Sequence, residues 1–353
     1  MHRPGAALRV RTVMVRRVRA CDRFRAPRAC RSVPRARPRH WKASANQQDE
    51  FAGARAGPSL ALRCRMNAVT EPLIPDLDSA ARTGWPAELR LRFERRGGRS
   101  VLVERAHRGP LVVQKPLYPE GDAVCHVILV HPPAGIAGGD RLALTLELGP
   151  CAHVLLTTPG AGKWYRSAGA HGRLTQQLRL ADGAVCEFLP QESIVHDAAL
   201  GELDTEVALA GSAVFVGAEM ICLGRTGAGE RFARGELALR TRITRDGRPL
   251  WLERGVLGGG SALLEATPGL QGQPVSASLL VAAPACDAAL LEAWRAIAPS
   301  AGSGAVTLLP GLLVARWLGP ACEPGRAWLT QLWAAARPVV AGRSMQRPRI
   351  WST

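Results

Sequence analysis

The chain lacks any apolar run long enough to cross a membrane, and it lacks the shorter apolar core of a secretion signal. An integral membrane protein and a secreted one are therefore not expected, and a cytoplasmic location is. It has nine cysteines but no Cys-x-x-Cys, which argues against a zinc ribbon or a redox pair. The thiols are expected to be reduced, apolar core residues. No Gly-x-Ser-x-Gly offers a serine nucleophile. No His-x-x-x-His or Cys-x-x-His places two metal ligands on one face. Repeats of solenoid or propeller period are also missing.

Acidic residues are scarce at one end. Residues 1–65 hold 17 Lys and Arg against Asp22, Asp49 and Glu50, so the formal charge of +17 sits almost entirely there. The remainder carries 29 basic and 26 acidic groups and is nearly neutral. The leader is rich in Arg, contains Pro27, Pro34 and Pro38, and keeps no lasting periodicity, so disorder is expected. It reads as upstream sequence preceding a start at Met66, ahead of a basic arm or an organelle presequence. Nucleic acid is not expected as a partner, because the body is nearly neutral and its slight basic excess is too small to bind it. Residues 66–353 are expected to form one β-rich domain.

Period-two alternation runs from residue 88 to about 265 and predicts strands with one buried face. Leu89, Leu91 and Phe93 alternate with Arg90, Arg92 and Glu94, and Gly97-Gly98 offers a turn into Val101-Leu-Val103. Leu142, Leu144, Leu146 and Leu148 form a second such series, and Leu203, Thr205, Val207 and Leu209 a third. Asp182-Gly183 and Asp246-Gly247 are predicted hairpin turns. Helical spacing appears only late. Asp287 can cap a segment with Leu290, Leu291, Trp294 and Ile297 on one face. A second stripe joins Trp328, Leu329, Leu332 and Ala336, with Pro338 as its stop. Gly258-Gly-Gly260 and residues 299–305 read as loops.

Two glycine-rich blocks stand out: His131-Pro-Pro-Ala-Gly-Ile-Ala-Gly-Gly-Asp140 and Thr157-Thr-Pro-Gly-Ala-Gly-Lys-Trp-Tyr-Arg-Ser167. The second suggests a phosphate-binding loop through Gly160, Gly162 and Lys163. That motif needs a glycine where Thr157 stands and a Ser or Thr where Trp164 stands, and no long amphipathic helix follows. A nucleotide is therefore not expected. His126, His131, His153, His171 and His196 stand singly, and each is expected to be a satisfied core or surface histidine. What remains is a set of carboxylates near turns: Asp140, Glu187, Glu192, Asp197 and Glu219. One or two such ligands at a time hold a divalent cation weakly and exchangeably, which suits an ion in transit and not a resident one.

Seven blocks in order resemble one family. They are Gly109-Pro-Leu-Val-Val-Gln-Lys-Pro-Leu-Tyr-Pro-Glu120, Cys125-His126-Val127, the two glycine-rich blocks, Leu189-Pro-Gln-Glu192, Leu223-Gly-Arg-Thr-Gly-Ala-Gly-Glu230 and Arg347-Pro-Arg-Ile-Trp351. Together they resemble the urease accessory protein UreD, also called UreH. The sequence departs from that pattern at Ala134, where a second glycine is usual, at Ala137, where Val is common, and at Phe188, where Trp is usual. His196 stands where the family usually has an aromatic residue, which weakens it as a required ligand; Asp197 fits better.

The resemblance implies a mainly β fold of stacked mixed β-sheets, layered like a β-helix, with two α-helices near the C-terminus. It implies no catalytic activity, catalytic residue or tightly bound cofactor. It implies a chaperone scaffold that binds the urease apoprotein and UreF, recruits the GTPase UreG through UreF, and has the nickel donor UreE as a further partner. Nickel would be in transit through an internal passage, with Asp140, Glu187, Glu192, Asp197 and Glu219 as its polar lining. The alternative from another class is a β-rich metal-dependent hydrolase using His131, Asp140, His196 and Asp197.

Overall fold

The computed structural model describes residues 84–352. The basic leader and the start at Met66 lie outside the described residues.

The body opens with the expected hairpin: β1 (Pro86–Arg96) and β2 (Arg99–Arg108) pair antiparallel across Gly97-Gly98. After the short β3 (Val112–Val113) the chain begins to coil. The coils comprise β4 (Val124–Val130), β5 (Arg141–Leu148), β6 (His153–Thr157), the short β7 (Gly162–Trp164), β8 (Gly172–Leu180), β9 (Val185–Phe188), the short β10 (Ser193–Val195), β11 (Ala199–Leu209), β12 (Val214–Leu223) and β13 (Gly235–Arg245). Strands β1, β5, β8, β11 and β13 lie parallel in a first sheet. Strands β4, β6, β9 and β12 lie parallel in a second. Successive coils thus give one strand to each sheet, a solenoid-like winding built without a sequence repeat. The winding needs only that each strand present alternate apolar residues inward.

That winding corrects one expectation. Asp182-Gly183 is not a hairpin turn; it carries the chain from β8 in the first sheet across to β9 in the second. Asp246-Gly247 does close a hairpin, between β13 and β14 (Arg248–Gly258). The chain continues through the one-turn α1 (Ala262–Glu265), β15 (Val275–Ala282), α2 (Ala288–Arg295), β16 (Ser303–Leu309), β17 (Leu312–Gly319) and α3 (Cys322–Ala341). Most of the loop expected at residues 299–305 is present, but from Ser303 the chain is already strand. The second sheet extends antiparallel through β15, β17 and β16.

Alternation fills the space between the sheets. Leu91, Leu146, Leu178, Val207 and Ile243 form one inward row across five strands of the first sheet, and all are buried. Each such side chain stabilises the fold by roughly 1.5–3 kcal/mol. The other face of the second sheet is covered by α2 and α3, with Trp294, Trp317, Trp328 and Trp333 in this second core. Asp287 caps α2 as expected, its carboxylate accepting from the Leu290 N–H at 2.9 Å. Pro338 does not stop α3: the helix runs to Ala341 and ends at Gly342, which is left-handed. Proline so near the end removes one hydrogen bond, while Trp333, Ala336, Arg337 and Val340 keep the last turns packed.

Candidate functional site: an internal cavity behind two glycine-rich turns

The two glycine-rich blocks are bound to each other. The Ile136 N–H donates to the Lys163 carbonyl at 2.7 Å and the Tyr165 N–H donates to the Ile136 carbonyl at 2.8 Å. A Cβ on Gly135 would overlap the Tyr165 ring, and one on Gly138 would overlap the Ser167 hydroxyl. Only glycine permits so close an approach. The second block also joins β10, where the Gly162 N–H donates to the Glu192 carbonyl at 2.9 Å.

Behind these turns lies a cavity of about 460 Å³ between the sheets. His131, Lys163 and residues 158–162 border it at the turns, and much of its wall is aliphatic. One row of the first sheet breaks that pattern: Gln176, Thr205, Thr241 and Glu253 sit side by side on β8, β11, β13 and β14. Glu219, Ser278 and Arg316 form the matching row on β12, β15 and β17. Apart from Arg316, all of these line the cavity. Thr205 donates to Gln176 at 2.9 Å, and Arg316 crosses between the sheets to Glu253 at 2.6 Å. Glu219 has no hydrogen-bond or ion-pair partner among the described residues. Burial, with the Glu253 charge adding to it, pushes its carboxyl up to about 7 against the opposing pull of Arg316. Burial likewise pulls the His131 imidazole below its ordinary value, despite nearby Asp140.

The other four carboxylates are engaged elsewhere. Asp140 closes the first block, one oxygen accepting from the Trp85 N–H and the other from the Ala137 N–H, both at 2.8 Å. Asp197 accepts from the Ala233 and Arg234 N–H groups and from the Arg234 guanidinium, which together hold its carboxyl below the usual range. Glu192 pairs with Arg326 of α3. Glu187, wholly buried beneath α3, takes His153 at 2.7 Å, Trp333 at 2.6 Å and Arg337 at 2.9 Å.

Glu187 belongs to a network that the motif reading did not find. Arg337, itself fully buried, also reaches Glu120 at 2.7 Å, and Glu120 holds His126 at 2.6 Å. Although burial acts to raise the Glu120 carboxyl, His126 and Arg337 outweigh it and hold the group down at about 2. The signal was present in one respect. Arg337 follows Trp333 by four residues and so falls on the buried stripe of α3, where a charge requires a buried partner. Its partner Glu120 lies 217 residues away, beyond any spacing rule.

His196 meets Tyr165 edge to face at a centroid distance of 5.3 Å. Among the described residues no group of three or more His, Cys, Asp or Glu side chains is arranged to hold a metal ion. The four residues of the hydrolase alternative therefore make no such cluster. No described helix is long and apolar enough to cross a membrane.

Residues 86–352 match the family described as UreD urease accessory protein. A urease accessory protein UreD from Azoarcus sp. strain BH72 is 65% identical over 274 residues, covering 78% of this chain and 96% of that protein. The UreD of Dechloromonas aromatica strain RCB is 48% identical over 273 residues, covering 76% of this chain and 95% of its own. The UreD of Pseudomonas aeruginosa PAO1 is 48% identical over 281 residues, covering 79% and 99%.

Proposed function

Because this chain belongs to the UreD urease accessory protein family, we propose that it holds the urease apoprotein and UreF on separate surfaces while nickel passes through its interior toward the urease site. UreG is then recruited through UreF, UreE is the nickel donor, and the chain itself catalyses nothing. The observation that carries this reading is the cavity between the sheets, bounded by both glycine-rich turns and crossed by facing polar rows.

The passage places different demands on the five carboxylates named from the sequence. An ion in transit needs a ligand with free lone pairs, and Glu219 faces the cavity with neither oxygen committed. With a pKa of about 7 it can exchange a proton for a cation near neutral pH. Glu253 faces the same space but shares its charge with Arg316. Asp140, Glu187, Glu192 and Asp197 support the walls: they fix the first turn, the base of α3, the α3 contact with β10, and the turn at Arg234.

The test pairs two measurements on the full chain. Glu219→Leu is expected to co-purify with urease apoprotein and UreF as wild type does, and to lower urease activation at least tenfold at limiting nickel. Loss of the complex would make Glu219 a structural residue. Unchanged activation in an intact complex would remove it from the passage. A wild-type chain that ignores both urease and UreF would defeat the scaffold reading altogether.

A further inference from the structure

The second sheet is interrupted at one place. Along β12, residues 214–217 pair with β9 and residues 221–223 with β10, so residues 218–220 have no strand beside them on that side. The chain between β9 and β10, residues 189–192, leaves the sheet there, setting four residues against three and including Pro190, which has no N–H to donate. Its backbone is held from the other direction: the Leu189 N–H donates to the Leu156 carbonyl at 2.8 Å and the Gln191 N–H to the Thr158 hydroxyl at 2.9 Å.

A small cavity of about 40 Å³ lies at this gap, against α3. Pro190, Gln191, Ala218 and Met220 line both it and the large cavity between the sheets. The two cavities therefore meet at the gap, with Glu219 at the centre of the three residues that lack a neighbour.

Trp333 of α3 and the partly exposed Trp351 complete the wall of the small cavity. Trp351 belongs to the tail after α3, residues 343–352, which carries a 3-10 turn at Arg349–Ser352. Its indole N–H donates to the Thr157 hydroxyl at 2.7 Å, and that hydroxyl donates to the Leu189 carbonyl at 2.6 Å. Through this relay the tail holds the first residue of the gap. Arg337 holds the near end of the tail by donating to the Ser344 carbonyl at 2.6 Å, and between the two anchors Gln346 and Arg347 are exposed.

We propose that the gap is a window through the second sheet, a second opening of the large cavity, and that the tail after α3 is its cover. Paired strands stand about 4.8 Å apart and let nothing pass between them, whereas a strand that leaves its place locally doubles that distance. The cover is one indole making one side-chain hydrogen bond, and it can swing aside without unpairing any strand. The two cavities then open together at the surface beside α3. This inference deepens the proposed function and rests on its reading of the large cavity as a route, to which it adds a mouth next to Glu219 and apart from the glycine-rich turns.

The test uses the full chain with Ser278→Cys, which places a thiol in the large cavity opposite Glu219 in register. Its reaction with aminoethyl methanethiosulfonate, a small cationic thiol reagent, is followed by peptide mapping. Adding Trp351→Ala should speed that labelling about fivefold or more, while the wholly buried Cys186 stays unlabelled in both chains. A further Ala218→Leu, filling the window from its edge, should restore the slow rate. An unchanged rate with Trp351→Ala would overturn the proposal. So would a fast rate that Ala218→Leu leaves untouched, since the reagent would then be entering at the turns. If Cys186 is labelled as well, the fold has opened, and Trp351→Phe replaces the alanine variant, keeping a ring and removing the bond to Thr157. About a twofold rise is then expected, and no rise overturns the proposal. Neither urease nor UreF takes part in the labelling, so the window can fail while the passage stands, and the passage can fail by co-purification while the window stands.

Discussion

Arg337 shows how much one buried side chain can organise. It neutralises Glu120 and Glu187 at once, and those carboxylates in turn hold His126 and His153. Replacing it with Met keeps the volume but leaves two buried carboxylates without their cation. We expect Arg337→Met to lower the unfolding free energy by about 3–5 kcal/mol, measured by urea denaturation at pH 7. A loss below about 1 kcal/mol would mean that the network is already reached by water. At this scale the sequence was only partly legible. It identified Glu187 as a carboxylate of interest and His126 and His153 as satisfied core or surface histidines, but not that they meet around one arginine. Ion pairing depends on distance in space, and these partners come from β4, β6, β9, α3 and the segment before β4.

The elements were more legible than their connections. Alternation located the strands, and both hairpins closed by glycine pairs or Asp-Gly at residues 97–98 and 246–247 are present. The same Asp-Gly chemistry at 182–183 makes a crossing between sheets, because a turn residue permits a reversal without fixing which strand receives it. The first glycine-rich block is a turn of the same kind. Ala134, one of the departures from the family pattern, adopts φ of +61°. A side chain in that left-handed region is strained by roughly 1–2 kcal/mol. Ala134→Gly should therefore relieve strain, offset in part by the freer unfolded chain, and raise stability by about 0.5–1 kcal/mol in thermal melts. A lower melting temperature would show that the alanine methyl makes packing contacts outweighing its strain.

At the scale of the whole molecule, the buried carboxylates give stability two opposite slopes with pH. Glu120 is held at about 2, so its contribution is complete above the unfolded value near 4.5 and is lost as pH falls from there toward 2. Glu219 runs the other way. The unfolded chain releases that proton near 4.5 while the folded chain keeps it to about 7, so stability falls as pH rises through that window. Glu219→Gln removes the second slope only. Between pH 5 and pH 8 the variant should gain on wild type by about 2–3 kcal/mol in chemical denaturation. Parallel curves would show that water already solvates the Glu219 carboxylate. The sequence by itself determined the β-rich class, the two main helices, the family and the failure of the phosphate-loop reading, because period, capping and motif spacing are local properties of a chain. Only the tertiary structure decided that the two glycine-rich blocks bind each other, that Glu219 alone of the five carboxylates faces the cavity uncommitted, and that Arg337 joins Glu120 to Glu187. The winding brings strands from successive coils to one place, and which side chains share an interior is set by sheet register across long stretches of chain.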